Sequence, residues 1–563
     1  MSLVERRELV FGFVAPLGVD RDLIEDCLRT ALCAADYGLD KVHVSAHLEE
    51  FSSTHPDSVL KRKEALMDAG DAIRQSWSEF ICKERGDAVA LAAISGIRSI
   101  REEANLRGQD IPADAAESAK LKSEAANVPR ESVAYLIDSL KHPHELQLLK
   151  RIYGPAFVSI GIYSPREMRL AFLLKQEGTS NEDLKLAQYA TSLMQRDETG
   201  EDNSGVKIRL GQDVSDAFFI SDFIVDGSRE KHEIVSQFTR LVELLFGDIY
   251  KTPSLDEVGM FLARGVQVRS GSLARQIGAA ILRKDGSVVA IGANEVARPI
   301  SGGQYWFVDD HEYHGRDMVY RPTDTSDKFR AEMLDDLLDL LDKAKVLADD
   351  FSANRHKNDD DKAKARKTRL EKLYYEKSAP LRNARLRDNI DYIRAVHAEA
   401  AAIIDAARHG VATKRCTLFS TTFPCHECAR HIVAAGIREV VYLEPYPKSA
   451  VKELYEDSIE VDPYQRDKKK VLFRTFVGVS PSRYLEFFTV DRVRKDIHGQ
   501  RLQFDPRKEA PHLPEYTPPA SVAQSNEFLE LNQFTQFLNQ RPAQKPNDTQ
   551  RPKEAANEGV VDR

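Results

Sequence analysis

Cysteine is scarce in this sequence: six stand among 563 residues, at 27, 33, 82, 416, 425 and 428. That number is too small, and the placing too uneven, for the disulfide framework of a secreted protein, which points to a reducing compartment. No apolar run reaches the roughly 18–20 residues that span a bilayer, so no membrane partner is expected and the cytoplasm is the expected location. The opening MSLVERRELVFGFVAPLGVD places two arginines ahead of an apolar run. Pro16, Gly18 and Asp20 break that run and no small-residue cleavage site follows, so a strand and a turn are expected there rather than a signal peptide. A basic excess is missing as well: 80 Lys+Arg against 89 Asp+Glu leave a net charge of −9, which disfavours a surface that binds polyanions as a whole and leaves room only for a local basic patch. Internal repeats are also missing.

At roughly 100–200 residues per domain the chain is long enough for several, and its 42% hydrophobic and 30% charged content is that of a soluble multi-domain protein. Residues 1–250 alternate short apolar runs with helical patterns: LVFGFV (9–14), a helix over 20–36, KVHVSA (41–46), VAYLIDS (133–139), AFVSIGIY (156–163) and SDFIVDG (221–227). Buried runs of this length between amphipathic stretches read as parallel strands with crossover helices, an α/β layer fold. A second α/β zone covers 256–490, with strands expected at 277–286, 287–294, 416–422, 439–445 and 471–479. Between its second and third strands the charged stretch 325–390 has helical spacing and reads as an inserted helical hairpin. From 505 to 563 Pro, Gln, Asn and Lys dominate, and a disordered tail is expected because too little apolar surface is available to offset ordering.

The strongest chemical signal is His397-Ala398-Glu399 followed by Pro424-Cys425-His426-Glu427-Cys428. One imidazole and two thiolates can take three corners of a Zn²⁺ tetrahedron and leave the fourth for water, an open and therefore catalytic type of site. His397 opens the alanine-rich helix AVHAEAAAIIDAARHG, while Cys425 and Cys428 lie one turn apart after a strand and a helix-starting proline. Two helix N-termini then face one metal and favour thiolate over thiol. Glu399, two residues from His397, cannot share its ligand direction and is assigned as the proton shuttle. H-x-E with P-C-x-x-C is the signature of zinc deaminases. The competing reading is a closed, bracing zinc site, for which Cys416 or His426 would have to be the fourth ligand.

Here the sequence resembles the cytidine/deoxycytidylate deaminase superfamily. The stretch SLARQIGAAILRKDGSVVAIGANEVARP (272–299) is similar to the opening hairpin of the deoxycytidylate branch, where a strand ending in Gly-x-Asn brings the Asn to the sugar. That resemblance implies that Asn294 bonds the deoxyribose; a buried turn asparagine is the plain alternative. It further implies Thr421 and Thr422 near the base and the backbone around Ala398 at the pyrimidine edge. EPYPKSAVKELYEDSI (444–459) resembles a segment of deaminases fused to a kinase-like domain and implies Lys448 as a phosphate contact. SGGQYWFVDDHEYHGRD (301–317) is expected as a flap in which His311, His314 and Arg316 could meet phosphates or simply face solvent.

In the first zone Gly12 to Gly18 follows a strand and precedes a helix in the context of a P-loop, though with five residues between the glycines it is one longer than the Gly-x4-Gly frame. Val19 and Asp20 stand where Lys and Ser/Thr belong, so the phosphate-binding charge and the usual magnesium ligand are missing. YLIDSLKHPHELQLLKRIYG (135–154) resembles the Walker-B-like strand of P-loop nucleotide kinases with Asp138 at its end, and IYSPREMRLAFLL (162–174) supplies Arg166 and Arg169 where such kinases carry lid arginines. The expected architecture is therefore an α/β protein with an N-terminal, degenerate P-loop kinase-like parallel-sheet domain and a C-terminal α/β/α cytidine deaminase-like domain. Nucleotide sensing through Gly12, Gly18, Asp20, Asp138, Arg166 and Arg169 is favoured over kinase activity.

This combination resembles the bacterial anti-phage dCTP deaminases. The resemblance implies Zn²⁺-dependent conversion of dCTP, and of dCMP, to deoxyuridine nucleotides and ammonia, depleting dCTP during infection. It also implies a nucleotide ligand in the N-terminal domain, an inhibitory partner that is an RNA or a protein, and a homo-oligomer. The alternatives are a housekeeping dCMP deaminase for thymidylate synthesis, a nucleic-acid deaminase relying on the basic run at 362–372, and a non-enzymatic nucleotide- or RNA-binding regulator with structural zinc.

Overall fold

The computed structural model of the chain describes residues 6–49, 51–52, 56–179, 183–201, 208–299, 302–303, 306, 316–320, 324–376, 379–381, 384, 386, 389–446, 449–463, 465–514 and 516–540. Five strands, β1 (Leu9–Val14), β2 (Gly38–Val42), β3 (Val133–Ile137), β4 (Phe157–Tyr163) and β5 (Phe223–Asp226), form a parallel sheet in the order β2-β3-β1-β4-β5. Every residue of β1 is buried because helices cover both faces, as a parallel sheet requires. The helix Arg21–Cys33 packs Ile24, Leu28 and Leu32 under one face, and the helix Ala88–Leu106 packs Leu91, Ile94 and Ile97 under the other. The strand expected over 41–46 ends early. After Val42 pairs with Ile137, the Asp138 carboxylate accepts the Val44 N–H at 3.2 Å, and the chain turns into the helix Val44–Glu49.

The second sheet runs β7-β6-β8-β9-β11-β10, from β6 (Gly278–Leu282), β7 (Val288–Ala293), β8 (Thr417–Thr422), β9 (Glu439–Glu444), β10 (Ile459–Val461) and β11 (Val471–Thr475). β6 is antiparallel to both β7 and β8; the remaining pairs are parallel. The run 471–479 is not one strand. β11 stays in this sheet, while β12 (Gly478–Val479) crosses to the first sheet and pairs antiparallel with β5. The crossing is held by buried Glu257, whose carboxylate accepts the Val479 N–H at 2.9 Å and pairs with Arg240 at 2.6 Å. One apolar cluster, with Ile224, Met260, Phe419, Val441 and Phe476, joins the two sheets.

The inserted stretch contains the helices Thr325–Lys343 and Asp359–Leu370. Ala331, Leu334, Leu338 and Tyr374 form their common core, and buried Arg369 reaches Asp335 at 2.7 Å and Asp339 at 3.2 Å. The expectation of a structureless tail from 505 fails for its described part. Ala520–Gln540 is a helix whose Phe534 and Phe537 pack edge-to-face against Trp77 at 5.5 and 5.6 Å between ring centroids. Its Glu527, fully buried, is bonded by Arg101, Arg98 and the Tyr153 hydroxyl. A polar composition hid this, because a narrow stripe of phenylalanines and one buried ion pair suffice to dock the helix. Residues 541–563 lie outside the described residues. Among the described residues no helix is long and apolar enough to cross a membrane.

Candidate active site

His397 is the N-cap of the helix Ala398–Arg408, and Cys425 is the N-cap of the helix His426–Ala434, its sulfur accepting the Cys428 N–H at 3.4 Å. The helix Ala398–Arg408 packs closely on β7: Ala398 is fully buried, and its carbonyl lies where a Cβ on Gly292 of β7 would come within 2.4 Å. Only glycine on β7 lets the helix approach this closely. The His397 Nδ1 stands 3.1 Å from Cys425 Sγ and 3.5 Å from Cys428 Sγ, and all three donor atoms fall within 4.8 Å of one another.

Glu399 is buried, with one carboxylate oxygen accepting from the Ser420 hydroxyl at 3.3 Å and the other 3.4 Å from Cys428 Sγ. Burial, reinforced by the charge of Cys425, pushes its carboxyl above the usual range. Bonding from Cys428 and from His397 brings the Cys425 thiol well down against the opposing effect of burial, while sharing a proton with Cys425 and burial push Cys428 up. Burial works to lower His397, but its bond to Cys425 outweighs this and raises it. The donor set fits zinc: Zn–S of about 2.3 Å and Zn–N of about 2.0 Å in a tetrahedron separate the ligands by roughly 3.5 Å. Among the described residues no other His, Cys or carboxylate group joins this cluster. Cys416 precedes the opposite end of β8, and the buried His426 Nδ1 has no hydrogen-bond partner and stands outside the cluster. Neither supplies the fourth ligand that a closed, bracing site requires.

The other expected residues are placed as follows. Asn294 uses its side chain on the backbone of one turn, accepting from Ile277 N at 2.6 Å and donating to Arg275 O at 2.8 Å. Thr421 Oγ1 accepts from Gly278 N at 3.1 Å, and the Thr422 hydroxyl donates to Glu444 at 3.1 Å. Arg316 is buried against Glu295 at 2.6 Å and Arg269 O at 2.7 Å, so its guanidinium is consumed inside the fold. Lys448, His311 and His314 lie outside the described residues. Beside Cys425 opens a cleft of about 1110 Å³ lined by His426, Arg275, Glu444, Tyr446 and, from the N-terminal half, Glu198 and Asp216. Arg275 is paired with Glu444 and stands 5.6 Å from the Tyr446 ring. Ser420 and Glu444 were not singled out from sequence. Ser420 is one of three consecutive hydroxyl residues, Ser420-Thr421-Thr422, so residue type alone does not single it out; the role of Glu444 depends on strand register, which spacing does not reveal.

In the N-terminal sheet the expected nucleotide contacts separate into different tasks. Gly12 is a packing position, where a Cβ would meet Leu140 at 2.4 Å; Gly18, at φ +92°, passes so close to Arg169 that a Cβ would meet its carbonyl at 2.5 Å. Asp20 caps the helix Arg21–Cys33. Asp138 accepts the Val44 N–H and faces Lys41 at 4.0 Å and His43 at 3.9 Å. Arg169 is buried and bonded to Leu17 O, Ser164 O and Glu198, and the more exposed Arg166 also reaches Glu198. Arg169 thus braces the loop after β1 through Leu17 O, and both arginines are paired with Glu198.

Fold and site together define an α/β domain with a three-donor centre of the open, catalytic type and a buried carboxylate beside it. Residues 254–444 match the family model of the cytidine and deoxycytidylate deaminase zinc-binding region. This part of the chain is therefore similar to the zinc-binding region of that family, and zinc is the cofactor its three donors fit. ComE operon protein 2 of Bacillus subtilis is 30% identical over 114 residues, 19% of this chain and 60% of that protein. The deoxycytidylate deaminase of Enterobacteria phage T2 is 43% identical over 54 residues, 10% of this chain and 29% of its own length. The chain thus spans between about a third and three fifths of these relatives. A solved dCMP deaminase from cyanophage S-TIM5 aligns with 40% of this chain and 99% of its own at 13% identity, and its TM-score of 0.20 adds nothing to the assignment.

Proposed function

We propose that the protein hydrolytically deaminates deoxycytidine nucleotides at C4, releasing ammonia. The observation that carries this reading is the buried Glu399 carboxylate lying 3.4 Å from one of three zinc donors, with no protein group closing the fourth position among the described residues. Zinc held by His397, Cys425 and Cys428 supplies a Lewis acid that makes water nucleophilic at neutral pH. Glu399, with its raised proton affinity, takes one proton from the attacking water to the ring nitrogen as the C4–O bond forms, then carries the remaining hydroxyl proton to the amine as the C4–N bond breaks and the C4 carbonyl forms. Ser420 orients that carboxylate from β8. Burial keeps bulk water away from the Glu399 carboxylate.

For the substrate we take dCTP first and dCMP second, on the resemblance of the two-domain arrangement to anti-phage dCTP deaminases, with depletion of dCTP in defence as the role and an inhibitory RNA or protein partner. The housekeeping dCMP reading is favoured by a specific observation: the relative from phage T2 is a deoxycytidylate deaminase. Ammonia release measured on dCTP, dCMP, CTP and cytidine with the zinc-loaded chain decides between them. Turnover of dCMP alone overturns the dCTP assignment, and no turnover of any of the four overturns deamination. Survival of bacteria expressing the chain under phage challenge, set against Glu399→Gln, tests the role.

A further inference from the structure

The cation cluster at the carboxyl ends of β1, β2 and β3 has no part in the deaminase chemistry. The strand order reverses at β1, because the chain leaves it for β2 on one side and later enters β4 on the other. Crevices outside the strand ends at such a point are where α/β sheets hold ligands. A pocket lies there, walled by Leu17, Val44, Leu66 and Met67, and it opens into a wider vestibule of about 710 Å³. Arg21 and Lys63 line both spaces and so stand at the neck between them.

The anionic side chains here are already committed, apart from one at the rim. Asp197, buried, is bound by Leu17 N at 2.7 Å and by Lys141 at 2.9 Å, so a carboxylate fills the nest that the loop after β1 makes. Arg74 is held by Glu145 and Asp71, and Arg62 by Glu49. Asp57 lines only the vestibule and is exposed. Lys63 has no hydrogen-bond or carboxylate partner among the described residues, and Arg21 has only the Asp138 carbonyl at 3.1 Å. Burial and the charges of Arg21 and Lys141 push the Lys63 ammonium down to about 8. Two neighbouring cations whose counter-charge, Asp197, is already bonded to Lys141 and Leu17 N are costly in a partly apolar neck unless an external polyanion meets them.

We propose that this neck binds the phosphate chain of a nucleoside polyphosphate or an inorganic polyphosphate through Lys63 and Arg21, with Lys141 and Asp197 as its fixed wall. The lysine missing after Gly18 is thereby replaced by one from the helix Val59–Phe80. Calorimetric titration of the full chain with ATP and with tripolyphosphate tests this. We expect one site per chain for ATP, weakened at least tenfold in Lys63→Met and kept within about threefold in Lys63→Arg. The ligand-free Lys63→Met protein should melt no lower than the wild type, which separates lost binding from lost fold. Tripolyphosphate binding as tightly as ATP assigns the site to the phosphate chain alone; binding of ATP only adds recognition of the nucleoside. Failure of both probes to bind the wild type, or equal binding by Lys63→Met, overturns the proposal.

Discussion

Replacing Glu527 with alanine tests whether the C-terminal helix is an integral part of the N-terminal domain. The side chain is fully buried and receives the Tyr153 hydroxyl at 2.9 Å, Arg101 at 3.0 and 3.3 Å, and Arg98 at 3.4 Å. Arg101, 1% exposed, keeps Glu8 at 2.9 Å after the change, so its charge loses one of two carboxylates and is not orphaned. The buried Tyr153 hydroxyl loses the acceptor that burial makes expensive to replace, about 1–3 kcal/mol. With the weakened Arg101 pairing, the total is about 3–5 kcal/mol, the range for removing one partner from a buried ion pair. Glu527→Gln, which keeps an acceptor oxygen but not the charge, should cost about half as much. Urea unfolding followed by tryptophan emission reads this directly, because Trp77 is packed against Phe534 and Phe537 of the same helix. The alanine variant should show a lower midpoint and a red-shifted Trp77 contribution before global unfolding. An unchanged midpoint together with unchanged emission would refute the integral role of this helix.

Glu399→Gln should retain zinc, since the three donors are untouched, while deamination falls by about 10²–10⁴; zinc content and ammonia release on one preparation check both halves. Cys425→Ser should lose stoichiometric zinc, because that thiol is the most readily ionised donor and also caps the helix His426–Ala434; zinc retained at one per chain would count against the three-donor assignment. Lys63→Met should stabilise the ligand-free protein at pH 7 by at most about 3 kcal/mol, a ceiling because the residue is partly exposed. The sign follows from the lowered proton affinity in the fold. Below pH 8 the ammonium faces Arg21, Lys141 and Arg62, with Asp197 as counter-charge, and its penalty is complete; as pH rises from about 8 to 10.5 the wild type regains that stability and the difference closes. Unfolding midpoints at pH 7 and pH 10.5 measure it, and a gap that widens with pH would contradict the account.

Much of the fold is written in local pattern. Runs such as LVFGFV and FVSIGIY are long enough and apolar enough that a strand buried on both faces is their favourable state, and β1 and β4 lie where those runs predict. His397, Glu399, Cys425 and Cys428 are also legible, because metal chemistry constrains residue type and short spacing together. Charge and acceptor matching across the fold are not local properties. Arg316 reads as a phosphate ligand until Glu295 is seen beside it, and Asn294 reads as a sugar contact until the 275–277 turn takes both ends of its amide. The 471–479 run reads as one strand because nothing near it in sequence reveals that buried Glu257 will draw its end onto the other sheet. What the sequence by itself determined is the longer apolar strands, such as β1, β4, β8 and β9, and the chemistry of the zinc donors, since both depend on residues within a few positions of each other. Tertiary structure alone decided which charges are spent, which are left facing a cavity, and that a polar tail docks as a helix, because pairing and burial join residues hundreds of positions apart.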